Sequence, residues 1–293
     1  MLTIKDGLHY KLSQLARDDG LHLLLPAGIG DVAWALAKLL TVIREREAAG
    51  QTVTVWLPDG EQHRAGDYLR MLDVKHDYLP GWSTRACWDR PDQPPIPDHG
   101  WFSTHANRTL EEGRRLETYY PDLPLIYPRP RIKARDSATG PFVCLFAGTR
   151  GYMSGQLPAA YWRGIAERLS KRVAPVRWIG AGADVEFLEE IAPIHKFDGH
   201  LIDRPLDEVL AAVTSPLCRG LVGVASGVTI SATVAGCRVW LAYPSHLDKM
   251  PGSWEQPGAV WDWSYVAELP GKVANGEVER FLRQKTPRGH HGS

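Results

Sequence analysis

The sequence predicts an α/β protein made of two halves, each built on a parallel sheet. Short apolar runs are followed by glycine turns, then by helix-periodic stretches, then by further apolar runs, and this order occurs twice along the chain. Between the two series lies the segment 121–141, which carries five prolines. Proline removes a backbone donor and fixes φ, so this stretch is a linker or crossing rather than a core element. A length of 293 residues with 44% hydrophobic content supplies enough apolar surface for two cores.

Taken in order, Leu8–Ala16 fits a short helix. His22-Leu23-Leu24-Leu25-Pro26 is an apolar run ending in Ala27-Gly28-Ile29-Gly30-Asp31, a buried strand followed by a tight turn. Over residues 32–50 the apolar positions Val32, Leu36, Leu39, Leu40 and Ile43 keep helical spacing, and Gly50 closes the helix. Thr52–Leu57 is the second strand. Residues 65–73 read as a helix and Lys75–Leu79 as a short strand. The stretch 80–100, rich in Pro, Trp and Asp, reads as a long loop, with a strand at Trp101–Ser103 and a charged helix at Arg108–Tyr119 beyond it. After the crossing, Phe142–Ala147 is a strand, Gly148–Gly151 a turn and Ala159–Arg172 an amphipathic helix. Val176–Ile179 (strand), Gly180–Gly182 (turn) and Asp184–Ile191 (helix) follow. Leu206–Val213 is a helix, Leu221–Val224 a strand, Ser226–Ala235 a helix, Arg238–Ala242 a strand and Glu277–Arg283 a closing helix.

Charge excludes some functions. The chain has 34 basic and 34 acidic side chains, and residues 1–140 carry 18 and 19 of them. Neither half is therefore a basic nucleic-acid domain or an acidic tail. A local basic stretch remains: Arg108, Arg114, Arg115, Arg129, Arg131, Lys133 and Arg135 outnumber the acids among residues 108–135. It reads as a solvated face or as a groove for a polyanionic acceptor. Cys87, Cys144, Cys218 and Cys237 lie far apart, which suits neither a zinc ribbon nor a disulfide scaffold. No run approaches the roughly 18 apolar residues of a membrane span, and the N-terminus has no signal pattern. A cytoplasmic protein without stable membrane insertion is expected. Of the eleven tryptophans, Trp34, Trp162, Trp178 and Trp240 fall in predicted elements and are expected in the core. Trp82, Trp88, Trp101, Trp254, Trp261 and Trp263 fall in irregular stretches, where packing under loops competes with stacking on sugars or bases.

The chemistry-bearing features are the glycine turns. Gly28-Ile29-Gly30-Asp31 follows a strand and opens a helix, where backbone N–H groups favour anions and glycine admits a ligand. Asp31 is either an N-cap or a carboxylate at a sheet's carboxyl edge, able to act as a general base toward a hydroxyl. Three further turns, Gly148-Thr149-Arg150, Gly180-Ala181-Gly182 and Ser226-Gly227-Val228-Thr229, would line one carboxyl-edge crevice. The last joins a hydroxyl, a flexible backbone and a helix start, which makes a diphosphate cradle. Arg150 could neutralise phosphate with its planar fork, or be a solvated loop arginine. No Asp-x-Asp occurs, and the eleven histidines show no paired metal spacing, so no metal site is expected.

With these residues set out, the chain resembles the ADP-heptose:lipopolysaccharide heptosyltransferase family, glycosyltransferases of the GT-B architecture. Leu24–Asp31 resembles the family's opening strand and G-x-G-D turn. Phe142–Thr149 through Pro158–Trp162 resembles its interdomain strand, phosphate loop and following helix. Val222–Thr229 with Ala235–Val239 resembles its late donor-binding turn and helix. The resemblance runs in order from about residue 22 to residue 246. It implies two Rossmann-like domains facing a cleft, with acceptor held by the first and nucleotide-sugar donor by the second. It also implies direct inverting transfer without a metal, with Asp31 at the acidic catalytic position. Charge on the leaving diphosphate would then be met by backbone dipoles, hydroxyls and arginine.

The chain also departs from that pattern. Where the family usually has a lysine before Trp-Pro, it reads Gly155-Gln156-Leu157-Pro158. Where the family usually has Asp-Ser-Gly followed by a histidine, it has Ala225-Ser226-Gly227 and Ile230. The N-terminal domain, about 130 residues, is shorter than the family's. Residues 1–130 are expected to bind acceptor, 131–285 the nucleotide-sugar, and 286–293 to form a flexible tail. Asp31 would be the base, and Gly28 and Gly30 would allow close approach. Gly148, Thr149, Arg150, Ser226, Gly227 and Thr229 would hold the diphosphate, while Gly180 and Gly182 border the nucleoside. No cofactor is expected beyond the donor as co-substrate. The acceptor is either a cell-envelope glycan or a hydroxymethylated base in DNA. Two other readings stay open: a non-catalytic sugar-nucleotide or glycan-binding protein, and a nucleotide-sugar epimerase.

Overall fold

A computed structural model describes residues 20–25, 28–58, 64–79, 129–148, 157–191, 199–224, 226–244, 264–269 and 277–283. These residues fall into two compact units that divide between Arg131 and Ile132. Each has its own parallel β-sheet flanked by helices, the two-core α/β architecture of the GT-B class. The expected helix at Leu8–Ala16 and the expected elements between residues 80 and 128 lie outside the described residues. Among the described residues no helix is long and apolar enough to cross a membrane.

The first unit opens with β1 (Leu21–Leu24), α1 (Ile29–Ala48) and β2 (Val53–Pro58), followed by α2 (Arg64–Met71) and β3 (His76–Leu79). The strands pair in parallel in the order β1-β2-β3, with Leu23 beside Val55 and Val55 beside His76. All six residues of β2 are buried, as an apolar run in a parallel sheet requires. The buried positions Val32, Leu36, Leu39 and Ile43 keep the helical stripe that the sequence spacing predicts. The helix ends in a Schellman motif: Gly50, at φ +82°, donates to Glu47 O (2.9 Å), and Gln51 donates to Arg46 O (3.0 Å). Within the sheet, the Trp56 indole N–H donates to Nδ1 of buried His22 at 3.1 Å.

The second unit contains β4 (Phe142–Phe146), α3 (Ala159–Arg172), β5 (Val176–Gly180), α4 (Val185–Ile191), β6 (Leu201–Ile202) and α5 (Leu206–Val213). It continues with β7 (Cys218–Val224), α6 (Gly227–Val234), β8 (Val239–Pro244), β9 (Ser264–Leu269) and α7 (Glu277–Arg283). Every strand pair is parallel and the spatial order is β6-β5-β4-β7-β8-β9. That is the doubly wound Rossmann order, in which the chain walks outward from the centre one way, then returns and walks out the other. Trp162, Trp178 and Trp240 are buried in this unit with Val143, Leu145, Val222 and Leu188. The side chain of Trp34 and the six loop tryptophans lie outside the described set.

Two strands escape the sequence reading. β6 has two residues, too few for any period to register, and β9 follows the tryptophan-rich stretch without clear apolar alternation. Its register is nevertheless continuous, from Val239 beside Ser264 to Pro244 beside Leu269.

Candidate functional site

In a doubly wound sheet the loops leaving the two central strands run in opposite directions, so a crevice opens beyond their carboxyl ends. Here those strands are β4 and β7. At the end of β4, Gly148 has φ +52°, and a Cβ there would meet the Phe146 ring at 3.0 Å and Val224 Cγ2 at 3.2 Å. The backbone is thus pressed against the end of β7, in a conformation that glycine alone takes without strain. Thr149 and Arg150, the next two predicted site residues, lie outside the described set.

At the end of β7 the chain enters α6 through a reciprocal capping box. Ser226 Oγ accepts from the Thr229 N–H (3.3 Å), and Thr229 Oγ1 accepts from the Ser226 N–H (2.9 Å). The Thr229 hydroxyl proton faces the Val224 and Ser226 carbonyls, each at 3.0 Å, and the residue is fully buried. Its hydroxyl is therefore engaged inside the turn and shapes it. The box serves the N–H of Thr229, while the Ile230 N–H bonds to Ser226 O. The N–H groups of Gly227 and Val228 open the helix, where no intrahelical acceptor exists for them.

Gly180 and Gly182 stand at the carboxyl end of β5 and at the start of the short 3₁₀ turn Gly182–Asp184. Asp184 is buried, and its Oδ2 accepts from the Ala181 N–H at 2.7 Å. Across the edge, Asp203 follows β6 at φ +51° and exchanges two bonds with this turn. Its N–H donates to Gly180 O (3.0 Å) and its Oδ1 accepts from the Gly182 N–H (2.6 Å). A Cβ on Gly182 would sit 2.5 Å from Asp203 Oδ2, so the exposed carboxylate lies directly over the glycine.

The structure thus brings Gly148, Gly180, Gly182, Ser226, Gly227 and Thr229 to the carboxyl edge of one sheet. Sequence reasoning missed two residues of this edge. Asp203 follows a two-residue strand and carries no motif. Gly223 sits within β7, where a Cβ would meet Phe146 O at 2.9 Å and Thr229 Cγ2 at 3.0 Å. A glycine inside a strand pattern is the signal that could have found it.

In the first unit, Gly28 is the N-cap of α1, with extended backbone (φ −66°, ψ 123°), and Val32 N–H donates to its carbonyl at 3.0 Å. Asp31 is therefore not the N-cap. It is the third residue of the helix, and Gly30, also helical, is buried. The helix begins three residues earlier than its apolar spacing predicts, because a glycine N-cap carries no side-chain signal.

Among the described residues, no group of three or more His, Cys, Asp or Glu side chains could hold a metal ion. No protein-family model and no curated protein sequence matches the chain. Solved structures do. ADP-heptose lipopolysaccharide heptosyltransferase II of E. coli superposes with a TM-score of 0.59 at 14% identity, over 90% of this chain and 98% of its own. E. coli heptosyltransferase WaaC with ADP gives 0.58 at 12% identity, over 89% and 98%. A family 9 glycosyl transferase from Veillonella parvula gives 0.52 at 11% identity, over 88% and 90%. The chain therefore has a GT-B fold resembling that of the heptosyltransferases, from which it is divergent in sequence.

Proposed function

We propose that this chain is a glycosyltransferase that moves a sugar from a nucleotide-diphosphate sugar to an acceptor hydroxyl, with inversion and without a metal. The observation that carries the reading is the switch point of the second sheet. There Gly148 and the Ser226-capped start of α6 stand at the ends of adjacent strands. The similarity of fold to enzymes that use ADP-heptose supports the same class of donor.

In this reading residues 131–285 bind the donor and residues 1–130 the acceptor. Gly148 with Thr149 and Arg150 meets one side of the diphosphate. Gly227 and Val228 offer backbone N–H groups to the other, held in place by Ser226 and Thr229. Gly180 and Gly182 border the nucleoside. Asp31 takes the proton of the acceptor hydroxyl as its oxygen attacks the anomeric carbon. The bond from that carbon to the diphosphate breaks on the opposite face, and Gly28 and Gly30 leave room for the acceptor. Without an Asp-x-Asp pair, charge on the leaving group falls to Arg150 and the backbone dipoles. The acceptor is a cell-envelope glycan or, if the basic stretch 108–135 is a groove, a hydroxymethylated base in DNA, whose binding would weaken steeply with salt.

The reading is tested in two steps. A thermal-shift screen of nucleotides and nucleotide-sugars should find a stabilising ligand, worth about 2.7 kcal/mol at a hundredfold excess over Kd. No shift with any of them removes the donor site. Asp31→Asn should then lower kcat by on the order of 10²–10⁴-fold while leaving donor binding intact. Full activity of that variant removes the base assignment. Donor binding with no transfer, hydrolysis or epimerisation by the unaltered chain would favour the non-catalytic alternative.

A further inference from the structure

Among the described residues only two other than glycine have positive φ, Asp73 and Asp203. Asp73 closes α2 in a Schellman motif, its N–H donating to Arg70 O (3.1 Å) and that of Val74 to Leu69 O (3.0 Å). Asp203 has no helix before it. It follows the two-residue strand β6 at φ +51°, and such conformations gather where a ligand is held. Its N–H donates to Gly180 O (3.0 Å) and its Oδ1 accepts from the Gly182 N–H (2.6 Å). Oδ2 has no partner among the described residues, and both Asp203 and Gly182 are exposed. The other carboxylate of this edge, Asp184, is buried and bonds the Ala181 N–H, so of the two it is Asp203 that offers an oxygen to solvent.

The order of the sheet says which part of a donor this carboxylate would meet. Gly148 and the start of α6 stand at the ends of β4 and β7, and β5 alone separates β4 from β6. Neighbouring strands are about 4.8 Å apart, so the column of β6 lies about 10 Å to the side of β4. A nucleoside diphosphate with its phosphates at the β4–β7 switch point and its ribose over β5 carries its base to β6. Over β5 the chain is bare: Gly182 has no side chain, and a Cβ there would stand 2.5 Å from Asp203 Oδ2. The base edge and the free carboxylate oxygen therefore fall at the same end of the crevice.

We propose that Asp203 selects the nucleobase of the donor and that the base is guanine, an inference that rests on the donor site proposed above. A carboxylate accepts hydrogen bonds and donates none. Of the common nucleobases, guanine presents two donors side by side, N1–H and the 2-amino group. Adenine and cytosine each set one amino group beside a ring-nitrogen lone pair, and uracil sets its N3–H between two carbonyls. Guanine thus matches Oδ2, which is free, and Oδ1, which keeps a lone pair beyond its bond to Gly182. Against the other bases a carboxylate oxygen faces an acceptor, and the unmade bond lowers affinity. The donor is then a guanosine-diphosphate sugar, a nucleotide-diphosphate sugar like ADP-heptose but with another base.

Calorimetric titration of the full chain with GDP, ADP, UDP and CDP tests this. GDP should bind about 10–100-fold more tightly than each of the others, the discrimination that a bidentate base contact supplies. IDP, which lacks the 2-amino group, should fall between. Equal affinities, or a preference for another base, overturn the inference and leave the donor site standing. Binding of none of the four removes the donor site and the inference with it. An affinity blind to the base but lowered by 2′-deoxy-GDP assigns the carboxylate to the ribose, which also overturns the proposal. Asp203→Asn keeps the side-chain shape and tolerates the left-handed backbone, but puts an amide donor beside the base. That variant should lose the preference for GDP and bind xanthosine diphosphate, whose C2 carbonyl accepts from the amide, more tightly than GDP. An unchanged preference for GDP in the folded variant removes the assignment to Asp203, and the nucleotide panel on the unsubstituted chain decides the base without it.

Discussion

At Gly223 even a methyl group has no room, because the obstructing atoms include the carbonyl oxygen and Cβ of Phe146 on the neighbouring strand. Backbone cannot yield as a flexible side chain does, so Gly223→Ala should destabilise the fold by about 1–3 kcal/mol, read from urea denaturation. Gly182 differs, since its obstruction is the end of the exposed Asp203 side chain, which can swing away. The sequence reading found the glycines of the βα turns because a turn after an apolar run announces itself. It did not find Gly223 or Asp203, whose importance depends on which atoms the other strands bring near. The first turn of α1 shows the same limit. The spacing places Asp31 beside the helix start, but whether it caps or enters the helix depends on the conformation of Gly28.

Among the elements, α6 depends most visibly on its cap. It has eight residues, and its first turn is held by the reciprocal bonds of Ser226 and Thr229. Ser226→Ala should cost about 1 kcal/mol of stability, measured by chemical denaturation, and should weaken nucleotide-sugar binding in the same protein. Helices were the most legible elements: Ala159–Arg172, Leu206–Val213 and Glu277–Arg283 have the bounds that periodicity and flanking residues predict. Strands were less so. β7 starts at Cys218, three residues before its apolar run, because pairing with Phe142 rather than composition extends it. β6 and β9 exist because neighbouring strands offer them a ladder, which no local pattern records.

Within the second unit, the segment that follows Arg131 is fastened to the sheet by a partly buried ion pair, Asp136 with Arg177, at 2.5 Å. The same guanidinium lies 4.7 Å from the centre of the Phe142 ring and donates to the Gly199 carbonyl. Beside it, His200 Nδ1 accepts the Trp178 N–H at 3.1 Å, which requires the lone pair of a neutral ring at that nitrogen. Burial first, and then the Arg177 charge, hold the His200 imidazole below its ordinary value. The unfolded chain therefore binds this proton more readily, with a pKa of about 6.5. The stability that His200 contributes is complete above that pH and is lost as pH falls through the folded value. Thermal unfolding followed by circular dichroism should show Tm dropping below about pH 6.5, and His200→Asn should remove that part of the slope.

Sequence alone determined the two α/β halves, most helices and the strand ends at which glycines stand. Each rests on properties carried by a few successive residues: apolar period and the turn chemistry of glycine. The tertiary structure alone decided the strand order β6-β5-β4-β7-β8-β9 and hence which two turns share a switch point. It also decided that Asp203 lies over Gly182. Those facts are set by register and by pairing between strands far apart in the chain. Such pairing is a long-range choice that local periodicity does not encode.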